Sequence, residues 1–461
     1  MAGLSSQHSK TSLNLGLLRA FKVVAGVTTL TLAFQSGCLA ESKKTDKKAA
    51  EKPHAKPAAA SGVSLREAIR TAVLHNWDLL AAKTNIDQAR AQEIITKEFP
   101  NPTLSVSTMQ INLDGRTSRT GKSGSFWNRN YDSIAAVGQL IELGGKRRWR
   151  QLAAKEGLLN AESLFQDAER QLKNGVIKAY AKVLQEDELV GILKASEETL
   201  KHEAEIAARR LEAGDVSKSD KQQIDIAAER FAADRQVEET NARTARIALE
   251  LLMGKQKPAG DIVLSENLSQ LASEVAKDHS GAHGERPDMV AAEAMVRQME
   301  ANLRLAKAGR VPDVTVSMQY EHQPPDQPNT GGIGFSLPLP IWNHNKGAIA
   351  VAKAQKDNAE LSLAKVHAQV ISDANQAWAT YGSASSKWHS YTETITPQSH
   401  ESLEALTYAY RKGGIPLVSL LDAQRSDNDI RTATAQAALD TVSAAADVQA
   451  TVPYAPAGLR H

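Results

Sequence analysis

The sequence predicts a mainly helical fold with a small β part, built from one helix–strand–strand–helix unit used twice. Three observations lead there. Ala, Glu, Lys, Arg, Gln and Leu dominate the 461 residues while aromatic residues make up only 5%, a balance that suits long helices and coiled coils better than one large globular core. Asp78-Leu79-Leu80-Ala81-Ala82 matches Asp288-Met289-Val290-Ala291-Ala292, and Pro102-Thr103-Leu104-Ser105-Val106-Ser107 matches Pro312-Asp313-Val314-Thr315-Val316-Ser317, both at an offset of 210, the mark of an internal duplication. Residues 148–212 contain no proline, and residues 346–412 contain only Pro397.

The N-terminal segment reads as an export signal. Lys10, Arg19 and Lys22 precede a short apolar run, Val23 to Phe34, too short to cross a bilayer as a helix. Small residues just before Cys38 resemble a lipobox, so residues 1–38 are read as a signal peptide with Cys38 as its lipidation candidate; cleavage after Ala40 is the alternative. Residues 39–62 are rich in Lys, Ala and Pro and cannot bury enough apolar surface to fold, which makes them a flexible tether. No later stretch is long and apolar enough for a membrane helix. An exported chain of this kind is periplasmic, secreted, or a β-barrel.

The repeat divides the rest into two halves, 63–254 and 285–452, with a connector at 255–284 and a tail at 453–461. Each half opens with a helix of about 30 residues, at 65–98 and at 286–309, ended by Pro100 and Pro102 or by Pro312. Two short strands come next. Val314, Val316, Met318 and Tyr320 alternate with small or polar residues, as do Ile333, Phe335, Leu337 and Leu339. In the first half Ile134, Ala136, Gly138 and Leu140 repeat the pattern, and Leu104 and Val106 start on one face, with Met109 and Ile111 on the other. Strands apolar on one face and polar on the other suit a barrel wall with lipid outside and water inside. Four strands cannot close a useful barrel and their edges cannot lie in lipid, so several chains must share one barrel. Asp114 to Asn130 and Glu321 to Asn329 are polar and read as loops at the barrel rim.

Residues 148–212 as one helix would extend roughly 100 Å, and 346–412 are its counterpart, with a kink at Pro397. Each long helix runs into a glycine turn, at Gly214 and at Gly413-Gly414, where positive φ lets the chain reverse. Ser217 can cap one returning helix and Pro416 suits the first turn of the other.

These motifs together resemble the TolC family of outer-membrane efflux factors, over about residues 63–452. Ile141-Glu142-Leu143-Gly144-Gly145-Lys146-Arg147 resembles the junction after the second strand, in a form similar to the heavy-metal (cobalt–zinc–cadmium) branch. Leu337-Pro338-Leu339-Pro340-Ile341-Trp342-Asn343 resembles the matching junction in the second repeat. Arg210 to Ser217 and Tyr410 to Pro416 resemble the two hairpin turns, and Leu420 to Gln424 resembles the segment just after the second turn. The resemblance implies a homotrimer in outer-membrane lipid: four strands per protomer in a shared twelve-stranded barrel, continued by a long periplasmic helical barrel. It implies that Gly214, Asp215, Val216 and Ser217, with Gly413, Gly414, Ile415 and Pro416, form the tip that meets a periplasmic membrane-fusion adaptor. Through the adaptor the duct would serve an inner-membrane pump of the resistance-nodulation-division type. It also implies Asp220 and Asp422 as the candidate pore constriction, where threefold symmetry makes carboxylate rings that attract cations; Ser419 stands where another aspartate would be.

Other chemistry finds little support. There is no phosphate-binding glycine loop, HExxH or CxxC motif, and the histidines are scattered, so no catalytic residue, cofactor or bound metal is expected. The formal net charge is only +2, which gives no basis for nucleic-acid binding. The basic run Lys146 to Arg150 is placed at the inner membrane surface, and Trp127, Trp149 and Trp342 near strand ends fit an interfacial belt. The expected function is a passive exit duct for metal cations or drugs. The alternatives are a type I protein-secretion duct and a periplasmic coiled-coil adaptor or scaffold.

Overall fold

The computed structural model describes residues 62–109, 132–275, 285–323 and 327–451. Cys38 and the signal, nearly all of the tether, the polar loop 114–130 with Trp127, Ile111, Gly281 of the connector and the tail lie outside the described residues.

The elements run α1 Leu65–His75, α2 Trp77–Lys97, β1 Thr103–Met109, β2 Asp132–Ile141, α3 Lys146–Glu212, α4 Lys218–Leu252 and α5 Leu268–Val275. They continue with α6 Pro287–Ala308, β3 Val314–Gln323, β4 Gln327–Ser336, α7 Lys346–Ser390, a π-turn at Tyr391–Ile395, α8 Thr396–Arg411 and α9 Leu417–Thr451. The order helix, two strands, long helix, return helix occurs twice. α3 runs unbroken for 67 residues, about 100 Å at the α-helical rise.

Three expectations are corrected. The opening helix of the first half is two helices, because Asn76 is extended there, caps α2 by accepting from Leu79 N at 3.0 Å, and donates through Nδ2 to Leu252 O. Its counterpart α6, Pro287–Ala308, keeps the expected bounds to within one residue at each end. β4 ends at Ser336, leaving Leu337 and Leu339 outside it; Pro338 and Pro340 have no N–H to extend the ladder. Much of the expected loop at Glu321 to Asn329 is strand instead, with a register irregularity between Glu321 and Gln323.

Pro397 does disturb the second long helix, and the disturbance lies in the turn before it. A proline ring crowds the carbonyl four residues back, and the helix widens into the π-turn that ends at Ile395. The connector is more ordered than its composition suggests. The buried Glu250 carboxylate accepts from the N–H groups of Ala259, Gly260 and Asp261 and pairs with Lys255 at 2.8 Å, folding the chain back on α4. Val63 then pairs with Leu264, and Tyr180 of α3 donates its hydroxyl to Val63 O at 2.9 Å.

The strands form one open antiparallel sheet in the order β1-β2-β3-β4, so β1 and β4 are its edges. The main apolar core lies away from the sheet, where α1, α5, α9 and the middle of α3 meet around Tyr180, Val176, Leu249 and Val442. A second core near the turns joins the two hairpins through Leu200, Ile224, Leu417 and Leu421.

Candidate functional site

The sheet register decides which residues share a face, because side chains directly opposite one another point the same way. Leu104, Val137, Met318 and Ile333 form one row across all four strands, and Val106, Ala135, Tyr320 and Gly331 form the next. Leu104, Val106, Met318, Ile333 and Phe335 are each at least 66% exposed, an apolar surface with no cover among the described residues. The opposite face carries Ser105, Ala136, Gln319 and Gly332 in one row and Thr103, Gly138, Ser317 and Gly334 in another. The sheet is therefore an amphipathic wall, apolar on one side, small and polar on the other. In β2 the expected face is reversed: Ala135 and Val137 join the apolar rows, while Ile134, Ala136, Gly138 and Leu140 lie on the polar face.

Below the sheet a polar seam joins the two hairpins where α3 meets α9. Asn174 and Lys178 donate to Asp447 at 2.9 and 2.6 Å, Gln185 donates to Gln436 at 3.4 Å, and Ser196 donates to Asn428 at 2.7 Å. Asn174, Gln185 and Ser196 recur every eleven residues, three helical turns, so the seam runs along the helix axis. At its lower end Arg411 of α8 reaches the buried Glu203 of α3 at 2.5 Å.

Glu186 is a strained member of this wall. Burial holds its carboxyl above the ordinary carboxylate range; Lys182 pulls it down, and the neighbouring Glu238 carboxyl pushes it up again. A carboxyl whose folded-state pKa is raised favours the folded state most below the unfolded-state value, and that advantage is lost as pH rises through the folded value. Glu186→Gln is therefore expected to raise the melting temperature of the detergent-solubilised protein at neutral pH, with the gain vanishing as pH falls toward about 4. Thermal unfolding at several pH values checks this.

Both hairpin turns use the same backbone device. Gly214 has φ +82°, and its N–H and that of Asp215 donate to Leu211 O and Arg210 O. Gly413 has φ +75°, and its N–H and that of Gly414 donate to Tyr410 O and Ala409 O. These paired bonds satisfy the last carbonyls of α3 and α8. Gly414 itself does not take positive φ, so only Gly413 needs to be glycine for conformational reasons. Ser217 caps α4, its Oγ accepting from Asp220 N at 3.0 Å. Pro416 stands just before Leu417, the first residue of α9, and its carbonyl accepts from Ser419 N. Asp215, Gly413 and Gly414 are exposed, whereas Val216 and Ile415 are half-buried.

The two constriction candidates stand in different surroundings. Asp422 is exposed on α9, with Arg425 one turn on at 3.7 Å. Asp220 is half-buried on α4 and near enough to Tyr410 of the other hairpin to act on its hydroxyl, which burial pushes up, Arg210 pulls down, and Asp220 and Glu203 push up further. Among the described residues no group of three or more His, Cys, Asp or Glu side chains is placed to hold a metal, and no helix is long and apolar enough to cross a membrane.

Sequence reasoning missed the seam, the Glu250 turn and the buried Glu203. Their only trace is polar residues at apolar helix positions, which periodicity alone reads as solvent-facing.

Comparison with known proteins agrees with this architecture. The family model described as outer membrane efflux protein matches residues 68–255 and 280–452. The chain is 26% identical over 378 residues to the cobalt-zinc-cadmium resistance protein CzcC of Cupriavidus metallidurans, covering 80% of this chain and 84% of that one. It is 28% identical over 311 residues to the probable efflux pump outer membrane protein TtgC of Pseudomonas putida, covering 64% and 63%. Among solved structures, the outer membrane protein VceC of Vibrio cholerae superposes with a TM-score of 0.68 at 19% identity, over 84% of this chain and 95% of that one.

Proposed function

The chain belongs to the outer membrane efflux protein family, and from that membership we propose that three copies close one barrel in the outer membrane and continue it as a helical duct across the periplasm. The observation that carries the proposal is the open four-stranded sheet, apolar on one face and polar on the other. Unpaired edges and an uncovered apolar face satisfy their hydrogen bonds and their burial together when the sheet closes with other copies inside lipid. Four strands from each of three protomers give a twelve-stranded wall, with the Ser, Thr, Gly and Gln face toward water.

In this reading the subunit is a passive duct and performs no catalysis. The two turns, Gly214 to Ser217 and Gly413 to Pro416, form the end that meets a periplasmic adaptor, which links the duct to an inner-membrane pump of the resistance-nodulation-division type. Asp422, exposed beside the turn, is the better placed of the two constriction candidates; Asp220 is half-buried near Tyr410 of the other hairpin. Cys38 is the proposed lipid attachment point.

We assign metal cations as the cargo. The support is the similarity to CzcC over four fifths of the chain, together with the Glu142 to Arg147 junction. A strain lacking the gene is expected to become sensitive to zinc, cobalt or cadmium while keeping its resistance to hydrophobic drugs and dyes. Drug sensitivity without metal sensitivity would reject the cargo assignment.

A further inference from the structure

We propose that the cationic patch beneath the two inner strands binds the phosphate headgroups of anionic phospholipids in the periplasm-facing leaflet. The proposal rests on the reading of the sheet as a membrane wall and goes beyond it by naming the lipid class.

The patch lies where α3 begins after β2 and α6 ends before β3. These are the inner strands, so the patch is away from the β1 and β4 edges at which other copies would join. The carboxylates of this junction are already neutralised. Lys146 pairs with Asp313 at 2.8 Å, and Arg150 holds both oxygens of Glu142 at 2.8 and 2.7 Å. What remains is positive. Arg148, Lys307 and Arg310 are exposed, and their side chains form no ion pair among the described residues. Arg304 pairs only with Glu300 on its own helix.

Trp149 gathers two of these charges. The Arg304 guanidinium lies 4.9 Å from the centre of its ring and the Arg148 guanidinium 5.3 Å. The two guanidinium groups therefore sit within about 10 Å of each other, and because Glu300 balances only Arg304, the pair keeps a net positive charge. The indole and its cations are the pairing expected at a membrane–water boundary, with an apolar body and a charged rim. Directly adjoining are Leu143 and Val311, 39% and 41% exposed, and Ile141 at the end of the apolar face. A phospholipid satisfies both parts: its phosphate meets the arginines, and its acyl chains rise along the apolar rows. A free phosphate ion would use only the charge.

The test uses the full-length protein in bilayers of phosphatidylethanolamine containing a minority of phosphatidylglycerol. After mild extraction, retained lipid is counted by native mass spectrometry, and oligomer and conductance are recorded on the same samples. Arg148→Gln with Arg304→Gln is expected to lower retained phosphatidylglycerol on the order of tenfold, with oligomer and conductance unchanged. Arg148→Lys with Arg304→Lys should restore most of it, which separates charge from folding. Equal phosphatidylglycerol retention by the glutamine variant would overturn the proposal, as would displacement of the lipid by inorganic phosphate. Failure of the unmodified protein to form an oligomer or a conducting pore would count instead against the duct reading.

Discussion

Val137→Lys is expected to abolish outer-membrane insertion, while Ala136→Lys, one residue away, leaves insertion intact. Val137 stands mid-strand in the apolar row with Leu104, Met318 and Ile333, whereas Ala136 lies opposite Ser105 and Gln319 on the polar face. A lysine facing the middle of the bilayer costs about 2–4 kcal/mol per copy, and a symmetric barrel multiplies that by the number of copies. A lysine at Ala136 faces water and instead narrows the duct and makes it more positive, so conductance should fall without loss of assembly. The quantity of heat-modifiable oligomer in the outer-membrane fraction reads both variants. Equal insertion of the two would refute the assignment of faces.

Gly413→Val should separate assembly of the barrel from function of the pump. A Cβ at Gly413 or Gly214 would meet nothing within 4 Å, so the cost is conformational. An L-residue at φ +75° or +82° is penalised by roughly 1–2 kcal/mol, and a β-branched one by more. That penalty falls on the turn alone, more than 60 helical residues from the sheet along α3. Gly413→Val and Gly214→Val are expected to cut efflux severely while the oligomer still inserts. Gly413→Asn should be mild, because Asn tolerates the left-handed region. Gly414→Ala should also be mild, since Gly414 does not use positive φ. Metal accumulation in cells carrying each variant, beside the amount of inserted oligomer, gives the comparison. Loss of insertion by the valine variants would move the turns from the tip into the folding of the barrel.

The repeat, the strand pairs, the long helices and the glycine turns are legible in the sequence because each has a local signal: a constant offset, a period of two, an absence of proline, a glycine after a helix. The features that escape it depend on partners distant in sequence. In β2, Ile134 and Leu140 are larger than Ala135 and Val137, so side-chain size points to the wrong face; only the register with β1 and β3 shows which set joins Leu104 and Met318. The break at Asn76 is set by Leu252, 176 residues away, which accepts from its amide. The π-turn before Pro397 has a visible cause but not a visible form, since proline can kink, end or widen a helix. The roles of Asp220 and Asp422 are not separable in sequence; the half-buried setting of Asp220 near Tyr410, against the exposed Asp422, supplies a contrast that two aspartates shortly after two similar turns conceal.

Completion of the open sheet by other copies of the same chain is tested most directly by native mass spectrometry of the detergent-extracted protein. Three copies per particle are expected, stable until the detergent is stripped or the sample is heated. A monomer that stays soluble without detergent would contradict this closure, because the uncovered apolar face and both unpaired strand edges would then need no partner.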